Sequence, residues 1–125
     1  MTQDERREYL IRALLEEDKS YRGRKIPADA KEQERLLRAL MNVRLPKPIS
    51  EEFRAIQDAY LTEKNAQDGI TDIAKLSPAE AGGQLCLWQG DITSLKVGAI
   101  VNAANSQMCG CFRPLHSCEI GRAHV

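Results

Sequence analysis

Two short apolar runs, each closed by a polar, turn-forming tetrapeptide, and a cysteine and histidine cluster directly after them constrain this chain more than any other feature. Leu85 to Trp88 leads into Gly90-Asp91-Ile92-Thr93, and Val97 to Val101 leads into Asn102-Ala103-Ala104-Asn105. Cys109, Cys111, His116 and Cys118 follow at once. Short uncharged runs of this kind, the second β-branched, predict strands. Strands so apolar are buried on both faces, which predicts an α/β sheet covered by helices. Ligands of such sheets collect beyond the strand ends, so Asp91 and Asn105 are candidate binding residues. Each also has an ordinary explanation, Asp91 as a turn or cap residue and Asn105 as an asparagine in a tight turn. Cys86, inside the first run, is expected to be a small core residue.

Ahead of this stretch the spacing of apolar residues is helical. Thr2 with Glu5 predicts a capping box, and Tyr9, Leu10, Ala13 and Leu14 form the stripe behind it. The polar segment from Asp18 to Lys25 ends that helix. Pro27 is expected in the first turn of a second helix, with Leu36, Leu37, Leu40 and Met41 as its stripe and Pro46 and Pro48 as its stop. Ser50 is expected to cap a third, with Glu51 and Glu52 in its first turn and Phe53, Ile56, Tyr60 and Leu61 on its buried face. These faces read as packing surfaces, and no catalytic cluster lies among them. Ile70, Ile73 and Leu76 mark a last short helical or irregular segment, and residues 77–84 read as a linker.

At 125 residues with 42% hydrophobic content, the chain is of single-domain size. Its 18 basic and 18 acidic side chains cancel, so no global field recruits nucleic acid or an anionic membrane. No apolar run approaches bilayer length. The expectation is a cytoplasmic protein with neither nucleic-acid nor membrane partners. Three of the four cysteines crowd beside His116, a pattern better suited to a metal in a reducing compartment than to disulfides.

Cys111, His116 and Cys118 follow the pattern Cys-x4-His-x-Cys, which lets one loop bring two thiolates and an imidazole to one ion. Three ligands of this type suit zinc and leave a fourth tetrahedral position for water or substrate. Spacing alone leaves the other reading open, in which Cys109 and Cys111 are small loop residues and His116 is a surface imidazole. Cys109, two residues from Cys111, is ranked as a spare.

Taken together, GDIT at Gly90–Thr93, IVNAANS at Ile100–Ser106 and GCFRPLHSC at Gly110–Cys118 resemble the opening third of a macrodomain of the zinc-dependent bacterial branch. The segments RLLRALMNVR, PISEEF and IQDAYL resemble the helical extension of that branch. The resemblance implies a helical N-terminal extension (1–76), a linker (77–84) and the truncated start of a three-layer α/β/α macrodomain (85–118). It further implies a hydrolase that removes mono-ADP-ribose from modified proteins, a lipoylated carrier protein among them. Asp91 then matches the aspartate that reads the adenine amino group, with Ile92 beside it. Asn105 matches the asparagine that approaches the distal ribose, and Cys111, His116 and Cys118 match the zinc ligands at the catalytic centre. A macrodomain that binds ADP-ribose without cleaving it is the competing expectation.

The pattern of the family breaks after Cys118. A hydrophobic residue and an aspartate are expected there, and the chain instead reads Glu119-Ile120-Gly121. Residues 119–125 therefore read as a non-native tail, and the natural protein is expected to continue. With only two sheet strands, these residues alone are expected to be poorly stable, the helical part surviving.

Overall fold

The computed structural model describes residues 1–78, 83–101, 106–107 and 110–116. Three helices, α1 (Gln3–Glu17), α2 (Ala30–Val43) and α3 (Glu51–Asp68), are followed by a two-stranded parallel sheet of β1 (Thr71–Asp72) and β2 (Leu95–Lys96).

α1 is the central helix and packs against both α2 and α3. Its sequence explains this position. Leu10, Ile11, Leu14 and Leu15 are all buried, the first two completely. Adjacent pairs one turn apart make an apolar surface wide enough for two partners, where a single stripe serves one. α2 contributes Leu37 and Leu40, α3 contributes Phe53 and Tyr60, and Leu36, Met41, Ile56 and Leu61 pack around this core. The expected stripes are therefore the observed ones, with Ile11 and Leu15 added.

Local capping starts each helix as the sequence leads one to expect, with one correction. Thr2 and Glu5 form the reciprocal capping box, and Ser50 Oγ accepts from the Phe53 N–H at 3.1 Å. α2, however, does not begin at Pro27. Asp29 is its N-cap and accepts from the Glu32 N–H at 3.0 Å. Pro27 stays outside, where its carbonyl accepts from Gln33 Nε2 at 2.8 Å.

Polar contacts link the helices across their edges. Arg7 is 5% exposed and donates from Nε to Gln33 Oε1 at 2.9 Å and from Nη2 to Asp4 Oδ1 at 2.7 Å. Arg44, the C-cap of α2, grips Glu17 of α1 through two 2.8 Å bonds and also donates to the Lys47 and Pro48 carbonyls. A bidentate clamp of this kind fixes direction as well as distance, and it seats the proline-rich connection to α3.

The second half departs from expectation. Residues 85–88 form no strand: Leu85 and Leu87 are 61% and 93% exposed, and Cys86 is exposed as well, not a core residue. Residues 97–101 are not a strand either, and Val101 is 90% exposed. The strand that does form lies just ahead, with Leu95 paired to Thr71 and Lys96 to Asp72. A strand is completed only by a neighbour's hydrogen bonds. Among the described residues, the segment after α3 is the one that supplies them.

A short recurrence marks the two partners. Asp72-Ile73-x-x-Leu76 and Asp91-Ile92-x-x-Leu95 each fold into one turn of 3-10 helix, Ile73–Lys75 and Ile92–Ser94. In both, the aspartate caps the turn by accepting from the N–H two residues on, at 3.0 Å. The expected short segment around Ile70 to Leu76 is thus β1 and its 3-10 turn.

Candidate functional site

Asp91 is placed by its own turn. Its Oδ1 accepts from the Thr93 N–H at 3.0 Å and from Thr93 Oγ1 at 2.8 Å, while Ser94 Oγ donates to the Asp91 carbonyl at 2.6 Å. The capping role anticipated as the ordinary explanation is therefore present. It also holds the carboxylate in one orientation, because two donors from one residue grip one oxygen.

Asp91 and Ile92 line an open depression of about 500 Å³ between this turn and α3. Leu61 and Asn65 form the α3 side, and Leu95, Val97 and Ile100 continue the wall. The depression is thus lined by an acidic residue, an asparagine and aliphatic residues. Asn65, half-buried beside Leu61, carried no signal in the sequence, being one polar residue among many along α3. Asn105 lies outside the described residues.

The second cluster is the cysteine and histidine loop. Cys111 Sγ stands 3.2 Å from His116 Nδ1, close enough for a hydrogen bond whose direction follows the imidazole tautomer. The backbone between them is tightly turned: Phe112 and Leu115 have φ of 54° and 60°, and the His116 N–H reaches the Arg113 carbonyl at 3.4 Å. Bulky residues in the left-handed region are held there against their own preference. From α2, Asn42 Nδ2 donates to the His116 carbonyl at 3.2 Å, tying the loop to the helical half.

Two of the three expected metal ligands are thus side by side, and the third, Cys118, lies outside the described residues, as does Cys109. Among the described residues no group of three or more metal-binding side chains occurs. The fit of a zinc ion can still be tested on the pair. Zinc–sulfur and zinc–nitrogen bonds of about 2.3 and 2.0 Å at a tetrahedral angle separate the two donor atoms by roughly 3.5 Å. The observed 3.2 Å is within a few tenths of an ångström of that edge, so thiolate and imidazole need only a small adjustment to share an ion.

Among the described residues no helix is long and apolar enough to cross a membrane. No protein-family model matches the chain. The chain is 55% identical over 120 residues to a protein-ADP-ribose hydrolase of Treponema medium, a match that covers 94% of this chain and 46% of that protein. It is 42% identical over 113 residues to a protein-ADP-ribose hydrolase of Staphylococcus aureus, covering 90% of this chain and 42% of the relative. A probable bifunctional ADP-ribose hydrolase/ADP-ribosyltransferase of Fusarium oxysporum is 41% identical over 92 residues. The chain is therefore homologous to bacterial protein-ADP-ribose hydrolases, and it spans less than half the length of those two bacterial relatives.

Proposed function

We propose that this homologue of bacterial protein-ADP-ribose hydrolases is part of a zinc-dependent enzyme that cleaves the glycosidic bond between ADP-ribose and a modified protein side chain. The observation that carries the metal reading is the 3.2 Å approach of Cys111 Sγ to His116 Nδ1. Homology at 55% and 42% identity supports the reaction class. In this reading Cys111, His116 and Cys118 hold zinc, and residues 85–118 open a macrodomain of three-layer α/β/α type.

Each residue then has one task. Asp91, oriented by Thr93, accepts from the adenine amino group, and Ile92 lies against the ring. Asn105 meets a hydroxyl of the distal ribose. Cys111 and Cys118 contribute thiolates and His116 a neutral imidazole, a donor set that matches zinc's tetrahedral preference and leaves one position open. Zinc, held by these three residues, would supply Lewis acidity there. The partner is a mono-ADP-ribosylated protein, with a lipoylated carrier protein as one such substrate, and the setting is the cytoplasm.

A competing reading, a module that binds ADP-ribose and does not cleave it, would use Asp91 and Asn105 equally well. The metal loop separates the two, because a reader has no need of convergent thiolates. The test is zinc analysis of the purified parent protein, combined with release of ADP-ribose from a mono-ADP-ribosylated substrate before and after chelation. Stoichiometric zinc with chelator-sensitive release is the expected result. ADP-ribose binding with neither zinc nor release would move the protein to the reader class.

A further inference from the structure

The bond from Asn42 Nδ2 to the His116 carbonyl joins residues 74 apart in the chain. It connects the last turn of α2 to the residue whose imidazole faces Cys111. On one side is a helix anchored in the core by Leu37 and Leu40. On the other is a short loop with two bulky residues at positive φ and a long 3.4 Å internal bond at its end. Such a loop has little intrinsic reason to keep its shape, since isolated residues in the left-handed region relax unless their surroundings hold them.

We propose that Asn42 is a positioning residue for the metal loop: by fixing the His116 carbonyl, α2 sets the rotation of the His116 backbone and so the approach of Nδ1 to Cys111 Sγ. This inference rests on the zinc reading of that loop. It gives the helical half a task beyond its own stability, because the end of α2 becomes an outer support of the ligand set. Supports of this kind lie behind metal ligands and preserve their orientation. The amide is suited to the position. Its Nδ2 donates to the carbonyl, and an isosteric carboxylate offers only acceptors.

The experiment uses the 125-residue chain and two variants, Asn42→Asp and Asn42→Ala. The metal-free readout is the carbonyl ¹³C resonance of His116, which reports directly on the bond that carbonyl accepts. It is expected to move in both variants while the resonances of Leu10 and Leu37 stay in place. The metal readout is zinc affinity by competition with a chromophoric chelator, together with the cobalt-substituted absorption spectrum. Affinity is expected to fall about fivefold to tenfold, with a changed cobalt ligand-field spectrum.

An unmoved His116 carbonyl resonance would overturn the brace. A moved resonance with unchanged zinc affinity and cobalt spectrum would overturn the positioning role. If the unsubstituted chain binds no zinc, the positioning role is overturned for this chain even where the carbonyl resonance moves, while the zinc reading itself is decided by metal analysis of the parent protein. A displaced Leu10 or Leu37 resonance in Asn42→Asp shifts the decision to Asn42→Ala, which introduces no charge near the end of the helix.

Discussion

Cys111 Sγ and His116 Nδ1 are 3.2 Å apart across a turn that two bulky residues enter with left-handed backbone angles. The approach is therefore built against local preference, at an order of 1–3 kcal/mol for each such residue. A free surface loop would relax to avoid that cost. In the proposed zinc site, binding of the ion would offset that cost, because metal affinity and loop folding would then be coupled.

Cys111→Ser, His116→Ala and Cys118→Ser, each made in the parent protein, should lose zinc and ADP-ribose release together. Metal content by elemental analysis and a release assay check this in parallel. Release that persists and still responds to chelators in all three variants would remove these residues from the metal site.

The helical core gives a stability contrast. Leu10 is fully buried in the core shared by the three helices, so Leu10→Ala should cost about 2–5 kcal/mol through lost transfer energy and a residual cavity. Leu87 is 93% exposed, and Leu87→Ala should change stability by no more than about 0.5 kcal/mol. Urea unfolding of the helices followed by circular dichroism measures both. Equal effects would mean that the core is not centred on α1.

Arg7 and Gln33 form a buried polar pair joined at 2.9 Å, and Gln33 passes the contact on to the Pro27 carbonyl at 2.8 Å. Gln33→Leu should destabilise by about 1–3 kcal/mol, since it leaves a buried guanidinium nitrogen without its acceptor. Combining it with Arg7→Met should cost less than the sum of the single changes. A double-mutant cycle with no coupling would show that the two act independently.

Tyr60 sets a limit at high pH. Burial, and then the nearby Glu34 carboxylate, hold its phenol above the ordinary value of 10.0, with Arg7 opposing them. A raised pKa in the folded chain means that the neutral phenol is favoured there. Its contribution is complete below the ordinary tyrosine range and is lost as pH rises through the raised value. Tyr60→Phe should therefore flatten the fall in stability above about pH 10, as measured by urea midpoints across that range. An unchanged slope would clear Tyr60 of this role.

The helices could be read from residues a few positions apart, because their caps and stripes are local. Thr2 with Glu5, Ser50 with the Phe53 N–H, and apolar residues three or four apart each complete a bond or a face within one or two turns. The one displaced start, at Asp29 and not Pro27, follows the Asp29 cap on the Glu32 N–H, which a scan for proline passes over. The second half was harder for the same reason in reverse. Apolar runs at 85–88 and 97–101 are compatible with strands, but a strand's hydrogen bonds belong to a neighbour, and the neighbour found was Thr71–Asp72 beside Leu95–Lys96. Motif and spacing picked out Asp91, Cys111 and His116 as chemically capable residues. Folding alone brought Asn65 to the Asp91 depression and Asn42 to the His116 carbonyl, since contacts between distant segments follow from packing and not from any local pattern.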